Sequence, residues 1–522
     1  MAPGAGRRRR RGAAPPGPGG AGRDATAPAV PRLAARGPTY ATIGCAVVAI
    51  LTVGLVVPGL VGRADPGGVG PGSVTVSALP AGPPLDSDPR PPPADAGLSL
   101  VTSPAPSPGT VLTAADQGVT PTTVTVGVVL AGLGAVAAFG IDVSQLDPKL
   151  QRSYWDSAAA RVNAAGGVDG RRLVLTYVQA DILSADSQRA ACRTLTDDRH
   201  VFAVVNVLGF TGDPVLCVTR DHDTPFIGAD GAAPAAYAAS DRLITLEPPV
   251  ELTVSLFVDR LASLGELRGR TVGVVHATGA AGVDGATLRR LLFRAGARAV
   301  LDAPLGDQDP LVVSGQVAAA ERRFQQGGVD RVILLTNAVY GTVFATQADQ
   351  GRFTPTFLLT DFGGATAGDS FIANMPASFF VRALAVTTTE LGRGRAGLAE
   401  SPLDAGCRQA YRDLVHRPVE RDGADAVSAI ASCAVVQVLT MGLSAAGANP
   451  TRSGFVAGLR RSGSFAVPGF GRGALGPAKP FVADEVALAV GHADCQCWYA
   501  VDGFRPLPAV PGGTPPVPAG HP

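Results

Sequence analysis

The sequence predicts an α/β protein with two doubly wound parallel-sheet lobes and a cleft between them. A basic disordered tail, one transmembrane helix and a Pro-rich linker precede the lobes. Three observations predict this. Short β-branched runs alternate with stretches of helical period in two successive series between about residues 119 and 360. Residues 40–62 form the single uncharged apolar run long enough to cross a hydrocarbon core of about 30 Å. Charge is split along the chain. Residues 1–39 carry eight Arg and one Asp, a net +7, so the rest of this 522-residue chain of formal net charge +1 carries −6.

The N-terminal segments read as address. Residues 1–39 are mostly Arg, Gly, Pro and Ala, with Arg7, Arg8, Arg9, Arg10 and Arg11 in one cationic run. Such a run suits anionic lipid on the cytoplasmic face, at about 1 kcal/mol per charge, or serves as a disordered tail that only fixes topology. The Arg excess before residues 40–62 places the N-terminus in the cytoplasm and the remainder outside. An uncleaved anchor fits this long apolar run better than a signal peptide, whose apolar core is about 7–15 residues; cleavage after Ala64 is the alternative. Cys45 lies too early in the run for lipidation. Residues 63–118 hold twelve Pro and few large apolar side chains, which predicts an extended spacer. Residues 509–522 read as a disordered tail. The near-zero total charge excludes a basic nucleic-acid coat. One apolar run excludes a multi-span transporter, although the mean hydropathy is positive at +0.22.

The folded part begins near residue 119. Val124–Leu130 is a β-branched run typical of a buried strand. After a Gly-rich loop, Leu150, Tyr154, Trp155, Ala158 and Val162 recur at helical spacing, and Gly166-Gly167 ends the helix. Strand Leu173–Val178, helix Ser187–Leu195 and strand Val201–Val207 follow. Strands at Pro225–Ile227 and Leu243–Leu246 flank a short Ala-rich helix. Val254, Phe257, Val258, Leu261 and Leu264 form an amphipathic stripe. The second series runs strand Thr271–Val275, helix Gly285–Ala295, strand Arg298–Leu301, helix Gly315–Gln326, strand Val329–Leu335 and strand Thr356–Leu359. Ala424–Ala446 is a long apolar helix, and the last ~50 residues read mainly as strand and turn. In a doubly wound sheet, ligands bind beyond the C-terminal ends of the strands. That rule selects the loops Gly209–Asp213, Asp230–Ala232, Ala277–Gly282, Asn337–Tyr340 and Asp361–Gly364.

The run Val162-Asn163-Ala164-Ala165-Gly166-Gly167-Val168-Asp169-Gly170-Arg171, followed by Leu173-Val174-Leu175 and Asp181, resembles the first helix-to-strand crossing of type 1 periplasmic binding proteins of the Leu/Ile/Val class. Thr224-Pro225-Phe226-Ile227, Asp425-Ala426-Val427 (with Ala424 where that family has Tyr) and Trp498-Tyr499-Ala500-Val501-Asp502-Gly503 are similar to later family elements, in the right order. The resemblance covers about residues 119–508. It implies two lobes joined by three crossovers, with lobe one at about 119–248 and 379–463 and lobe two at about 249–378 and 464–508. It also implies hinged closure on a small solute and delivery to an ABC-type permease. On the family pattern Thr211, after Phe210, is the hydroxyl that holds a ligand carboxylate. Asp230-Gly231 departs from the small residues usual there; an Asp could bind an amine or repel a carboxylate. Thr278, Tyr340 and Asp361 are the second-lobe candidates, with Asp361 matching a carboxylate that pairs with a ligand amine. Ala277–Gly282 lacks the family's aromatic.

Cys45 belongs to the apolar run, which leaves six Cys in an oxidising compartment, an even number with fifteen connectivities. Cys192 with Cys217 and Cys407 with Cys433 lie on neighbouring predicted helices and are the expected pairs. Pairing of Cys495 with Cys497 stays open. His492 to Cys497 has poor zinc spacing. Asp221-His222-Asp223 reads as a solvated surface. Gly392 to Gly397 matches G-x-G-x-x-G without the required βαβ placement. No nucleophile elbow, H-E-x-x-H or phosphate-loop motif is present. No cofactor, metal or catalytic residue is therefore expected. The leading expectation is a membrane-anchored extracytoplasmic solute-binding protein for a small polar solute, amino acid-like, amide or organic acid. A sensor ectodomain of the same fold is the alternative, and an exported hydrolase is third.

Overall fold

The computed structural model describes residues 110–137, 139–210, 212–278, 283–306, 310–362 and 374–507. Arg7–Arg11, the apolar run 40–62, the spacer up to residue 109 and residues 509–522 lie outside the described residues. All described residues fall in one unit, Pro91–Pro522.

The first sheet holds β1 (Thr123–Gly132), β2 (Arg172–Asp181), β3 (Ala203–Asn206), β4 (Phe226–Gly228) and β5 (Leu243–Thr245), in the order β2-β1-β3-β4-β5, all parallel. The central strands are buried on both faces, which is why their sequences are mostly apolar residues and glycine. Helix α1 (Pro148–Ala164) starts with the Asp147 side chain accepting from Lys149 N and with Pro148 at its first position. It ends where the sequence reading placed the stop. Gly167 has φ +77°, and a Cβ there would lie 2.0 Å from the Arg171 carbonyl oxygen. The Asn163 side chain accepts from Leu173 N (2.8 Å) and donates to its carbonyl (2.9 Å), which clamps α1 to β2. The Asn-x-x-Gly-Gly spacing has this physical basis. Helix α2 (Ala185–Arg193) leads to β3.

Helix α3 (Val250–Ser263) opens the second lobe, followed by β6 (Thr271–Ala277), α4 (Gly285–Arg294), β7 (Ala299–Leu305), α5 (Pro310–Gln326), β8 (Arg331–Leu335), α6 (Ala338–Gln350), β9 (Thr356–Thr360) and β10 (Leu384–Thr387). The chain then supplies α7 (Pro402–Val415), α8 (Ala424–Ala446), α9 (Arg452–Leu459), β11 (Gly463–Val467), β12 (Gly471–Leu475), β13 (Glu485–His492) and β14 (Cys497–Ala500). The second sheet runs β14-β13-β10-β9-β8-β6-β7. Its strands from β10 to β7 are parallel, and β13 and β14 add an antiparallel edge.

The lobe boundaries differ from the expected ones. The return to lobe one comes after β10, not at residue 379, because the Leu-Ala-Val-Thr strand extends the second sheet by pairing with β9 and β13. Residues beyond 463 stay with lobe one as far as Ala483: Val467, Phe470, Leu475 and Val482 pack into the same core as Trp155, Phe202 and Phe455. The spacer also ends earlier than residue 118. Arg171, only 1% exposed, donates to the carbonyls of Thr113 (3.0 Å) and Thr120 (2.7 Å) and to Asn449 Oδ1 (3.1 Å). Asn449 in turn accepts from Thr113 N and donates to the Val111 carbonyl. Residues from Val111 onward are thus sewn to lobe one.

Helix α8 is long and apolar enough to cross a membrane, yet it is mostly buried and forms the spine of the first core. Cys192–Cys217 and Cys407–Cys433 are disulfides, and Cys495 pairs with Cys497.

Candidate functional site

Three crossovers join the lobes, at residues 246–249, 388–401 and 476–484. The first and third run side by side: Val482 N donates to the Thr245 carbonyl and Ala483 N to the Leu246 carbonyl, both at 2.9 Å. A cavity of about 320 Å³ lies between strand-end loops of both lobes. Gly209, Asp230 and Gly231 face it from lobe one; Thr278, Asn337 and Tyr340 face it from lobe two. The segment after β1 also reaches across. Asp142 and Asn374 exchange two hydrogen bonds, at 2.8 and 3.0 Å, and Phe139 meets Tyr340 edge-on at 6.2 Å.

Local rules build each wall. Buried Asn206 at the end of β3 donates to the carbonyls of Val129 and Leu208 and accepts from Phe210 N, which folds the next loop back on itself. Gly209 sits in that loop at φ +73°, where a Cβ would lie 2.5 Å from Ile182 Cγ2. Its N–H donates to Asp230 Oδ2 at 3.0 Å. Gly231 N donates to Glu247 Oε2 at 3.3 Å. A Cβ on Gly231 would sit 2.0 Å from the Pro248 carbonyl oxygen, so only glycine fits between the loop and the first crossover. Asn337 caps α6 by accepting from Tyr340 N at 3.0 Å, so the expected loop Asn337–Tyr340 is a helix N-terminus. The Thr278 hydroxyl donates to the Leu305 carbonyl.

The back of the cleft is acidic. Burial pushes the Asp230 carboxyl up to about 6, against the pull of the Gly209 N–H and with help from Asp361. Burial also pushes Glu247 well above the usual carboxylate range, with Asp361 and then Asp230 adding to the rise. Asp361, 3% exposed, accepts from Thr387 Oγ1 (2.6 Å) and from Thr388 N and Oγ1 at the start of the second crossover. A second cavity of about 190 Å³ shares Leu208 and Asp230 with the first. It continues between α1, α8 and the loop 389–395, past Trp155 and Phe470 to Glu390, Asp404 and Arg395.

The predicted site residues separate in the structure. Asp230, Gly231, Thr278 and Tyr340 come together around the first cavity. Asp361 lines the second and braces β9 to the crossover. Phe210 is buried in the core of lobe one, stacked near Phe226 at 5.8 Å, and does not line either cavity. Thr211 and residues 279–282 lie outside the described residues. Glu247 escaped the sequence reading although it follows β5 by two residues, where the strand-end rule points. Gly392 and Arg395, in the dismissed G-x-G-x-x-G match, line the second cavity. His222 groups with Cys192 and Cys217, but those sulfurs are joined to each other and the ring pairs with Asp197 at 3.0 Å.

A family model described as periplasmic binding protein matches residues 149–489. Among solved structures, the chain is similar to a fatty acid ABC transporter substrate-binding protein from Thermomonospora curvata (15% identity, TM-score 0.57, covering 75% of this chain and 94% of that one). It is also similar to a possible leucine/isoleucine/valine-binding protein from Rhodopirellula baltica SH 1 (19%, 0.58, 73% and 96%). A third is the branched-chain amino acid transporter substrate binding protein LivJ from Streptococcus pneumoniae in complex with isoleucine (15%, 0.54, 73% and 99%). Among curated proteins none matches by sequence.

Proposed function

Since the chain belongs to the periplasmic binding protein family, we propose that it captures a small solute outside the cytoplasm by closing its two lobes over it. The observation that carries this reading is the cavity of about 320 Å³ between strand-end loops of both lobes. Binding involves no covalent step; closure excludes water and sums weak contacts from both walls. Asp230, Gly231, Thr278 and Tyr340 contact the solute, and Asp361 acts from behind. The similar proteins are named for solutes as different as a fatty acid and isoleucine, which supports a binding role and leaves the solute to the cleft chemistry. In this reading residues 40–62 tether the domain to the membrane, Arg7–Arg11 face anionic lipid, and an ABC-type permease receives the solute.

Native mass spectrometry of the protein extracted from membranes tests both parts. A bound small molecule and a mass that retains residues 40–62 are expected. A thermal-shift panel of amino acids, amines, amides and organic acids should contain at least one stabilising solute; a flat panel with no co-purified molecule removes the reading. Thr278→Ala should weaken binding severalfold with little change in melting, because among the described residues its hydroxyl donates to the Leu305 carbonyl alone.

A further inference from the structure

The charged groups among the described residues of the cavity are of one sign. No described residue of the 320 Å³ cavity is Lys, Arg or His, while Asp213 and Asp230 both line it. Directly behind stand Glu247 and Asp361, which line the adjoining cavity that shares Asp230 with this one; Asp361 raises the proton affinity of both Asp230 and Glu247. Of these two adjoining cavities, only the second has guanidinium groups among its described residues, and these are engaged. Arg421 donates to the Ala399 carbonyl and faces Glu390, and Arg395 donates to the Asp422 carbonyl.

The backbone tells the same story. Loop N–H groups at strand ends are where a ligand carboxylate would find donors. Here the Gly209 and Gly231 N–H groups are already taken, by Asp230 at 3.0 Å and Glu247 at 3.3 Å. An incoming anion would have to displace a carboxylate of the chain and then lie beside it. An incoming cation meets carboxylates that are costly to hold together in a dry cleft and relieves that cost.

We propose that the cleft takes a cationic solute, an amine or amidine-type compound without a free carboxylate, with Asp230 and Glu247 as its counter-ions. This rests on the solute-binding reading above and adds charge class to it. The apolar walls of Leu208, Ala232 and Val339 would cover the alkyl part of such a ligand.

The test is calorimetric titration of the full-length protein in detergent with butylammonium, 1,4-diaminobutane, L-leucine and pentanoate, with a neutral sugar and amide set alongside. Saturable binding of an amine, with pentanoate weaker by about tenfold or more, is expected. If pentanoate, leucine or a neutral solute binds and the amines do not, the charge assignment is overturned while solute binding stands. If nothing binds, both fall. Asp230→Asn and Glu247→Gln should each weaken amine binding about thirtyfold or more, and Asp230→Asn should narrow the gap to pentanoate. Melting of the unliganded variants should be no lower than that of the parent, which separates lost binding from lost folding. Unchanged amine affinity in both variants overturns the proposal.

Discussion

At Glu390 the chain places a carboxyl where ionisation is penalised. Burial and the neighbouring Asp404 push it up to about 8, and the two carboxyls share a hydrogen bond. Asp404 is tied on its other side to Ser401 and, at 2.6 Å, to Gly469 N, so the pair links the second crossover to α7 and to the β11–β12 turn. A raised carboxyl pKa has a definite sign. The folded protein holds a proton that the unfolded chain releases above about pH 4, so this group's contribution to stability is full below that pH and is lost as pH rises to about 8. Glu390→Gln keeps a donor for Asp404 and cannot ionise. Its melting temperature should fall less between pH 6 and 8 than the parent's and should exceed the parent's at pH 8. An unchanged slope would place the pH dependence elsewhere. Neither Glu390 nor Glu247 was legible in the sequence, because an acidic residue in a loop looks the same whether it faces water or a cavity. Asn163 was legible, since its fixed distance to the Gly pair encodes a local turn that needs no tertiary information.

Elements were legible where period and punctuation agreed. Helix α8 and the strands of both series have that agreement. β10 was missed because Leu384–Thr387 follows a buried Phe379-Phe380 turn and only its β9 and β13 partners make it a strand. Helix α6 begins at a residue read as loop, because an N-cap Asn and a turn Asn carry the same signal. Glycines show how packing overrides propensity. In α8 a Cβ on Gly442 would lie 2.4 Å from the Phe455 ring, whereas nothing approaches Gly315 in α5. Gly442→Ala should therefore cost about 1–2 kcal/mol despite better helix propensity, and Gly315→Ala should gain up to about 1 kcal/mol. Urea midpoints of the two variants should move in opposite directions. The Cys407–Cys433 bridge spans 26 residues and ties α7 to α8. Replacing both by Ser should lower stability by about 3 kcal/mol on the loop-entropy account, read as a lower melting temperature. No change would mean that packing alone fixes this helix pair.

For the whole molecule the question is what holds the lobes together. The Asp142–Asn374 pair and the Phe139–Tyr340 contact cross the cleft, and both must part if the lobes open. Asn374→Ala removes closing contacts without altering the polar cleft walls. It should increase the radius of gyration of the unliganded protein in small-angle scattering and lower apparent solute affinity severalfold, because a smaller fraction of molecules is in the closed form. An unchanged radius would show that the crossovers, not these contacts, set the closed form. The two-lobe plan was legible from the order of strand and helix signals. Where the chain recrosses was not, since that depends on which sheet edge a strand joins.

The stitching of residues from Val111 onward to lobe one, through buried Arg171 and Asn449, also has a mechanical meaning. In the proposed closure, lobe one would be the stator. Any tether entering through residue 110 transmits its pull to that lobe and bypasses the hinge. On the proposed tethered, closing form, lobe two would make the whole stroke free of load, and tension on the leash would leave the trap's opening angle untouched.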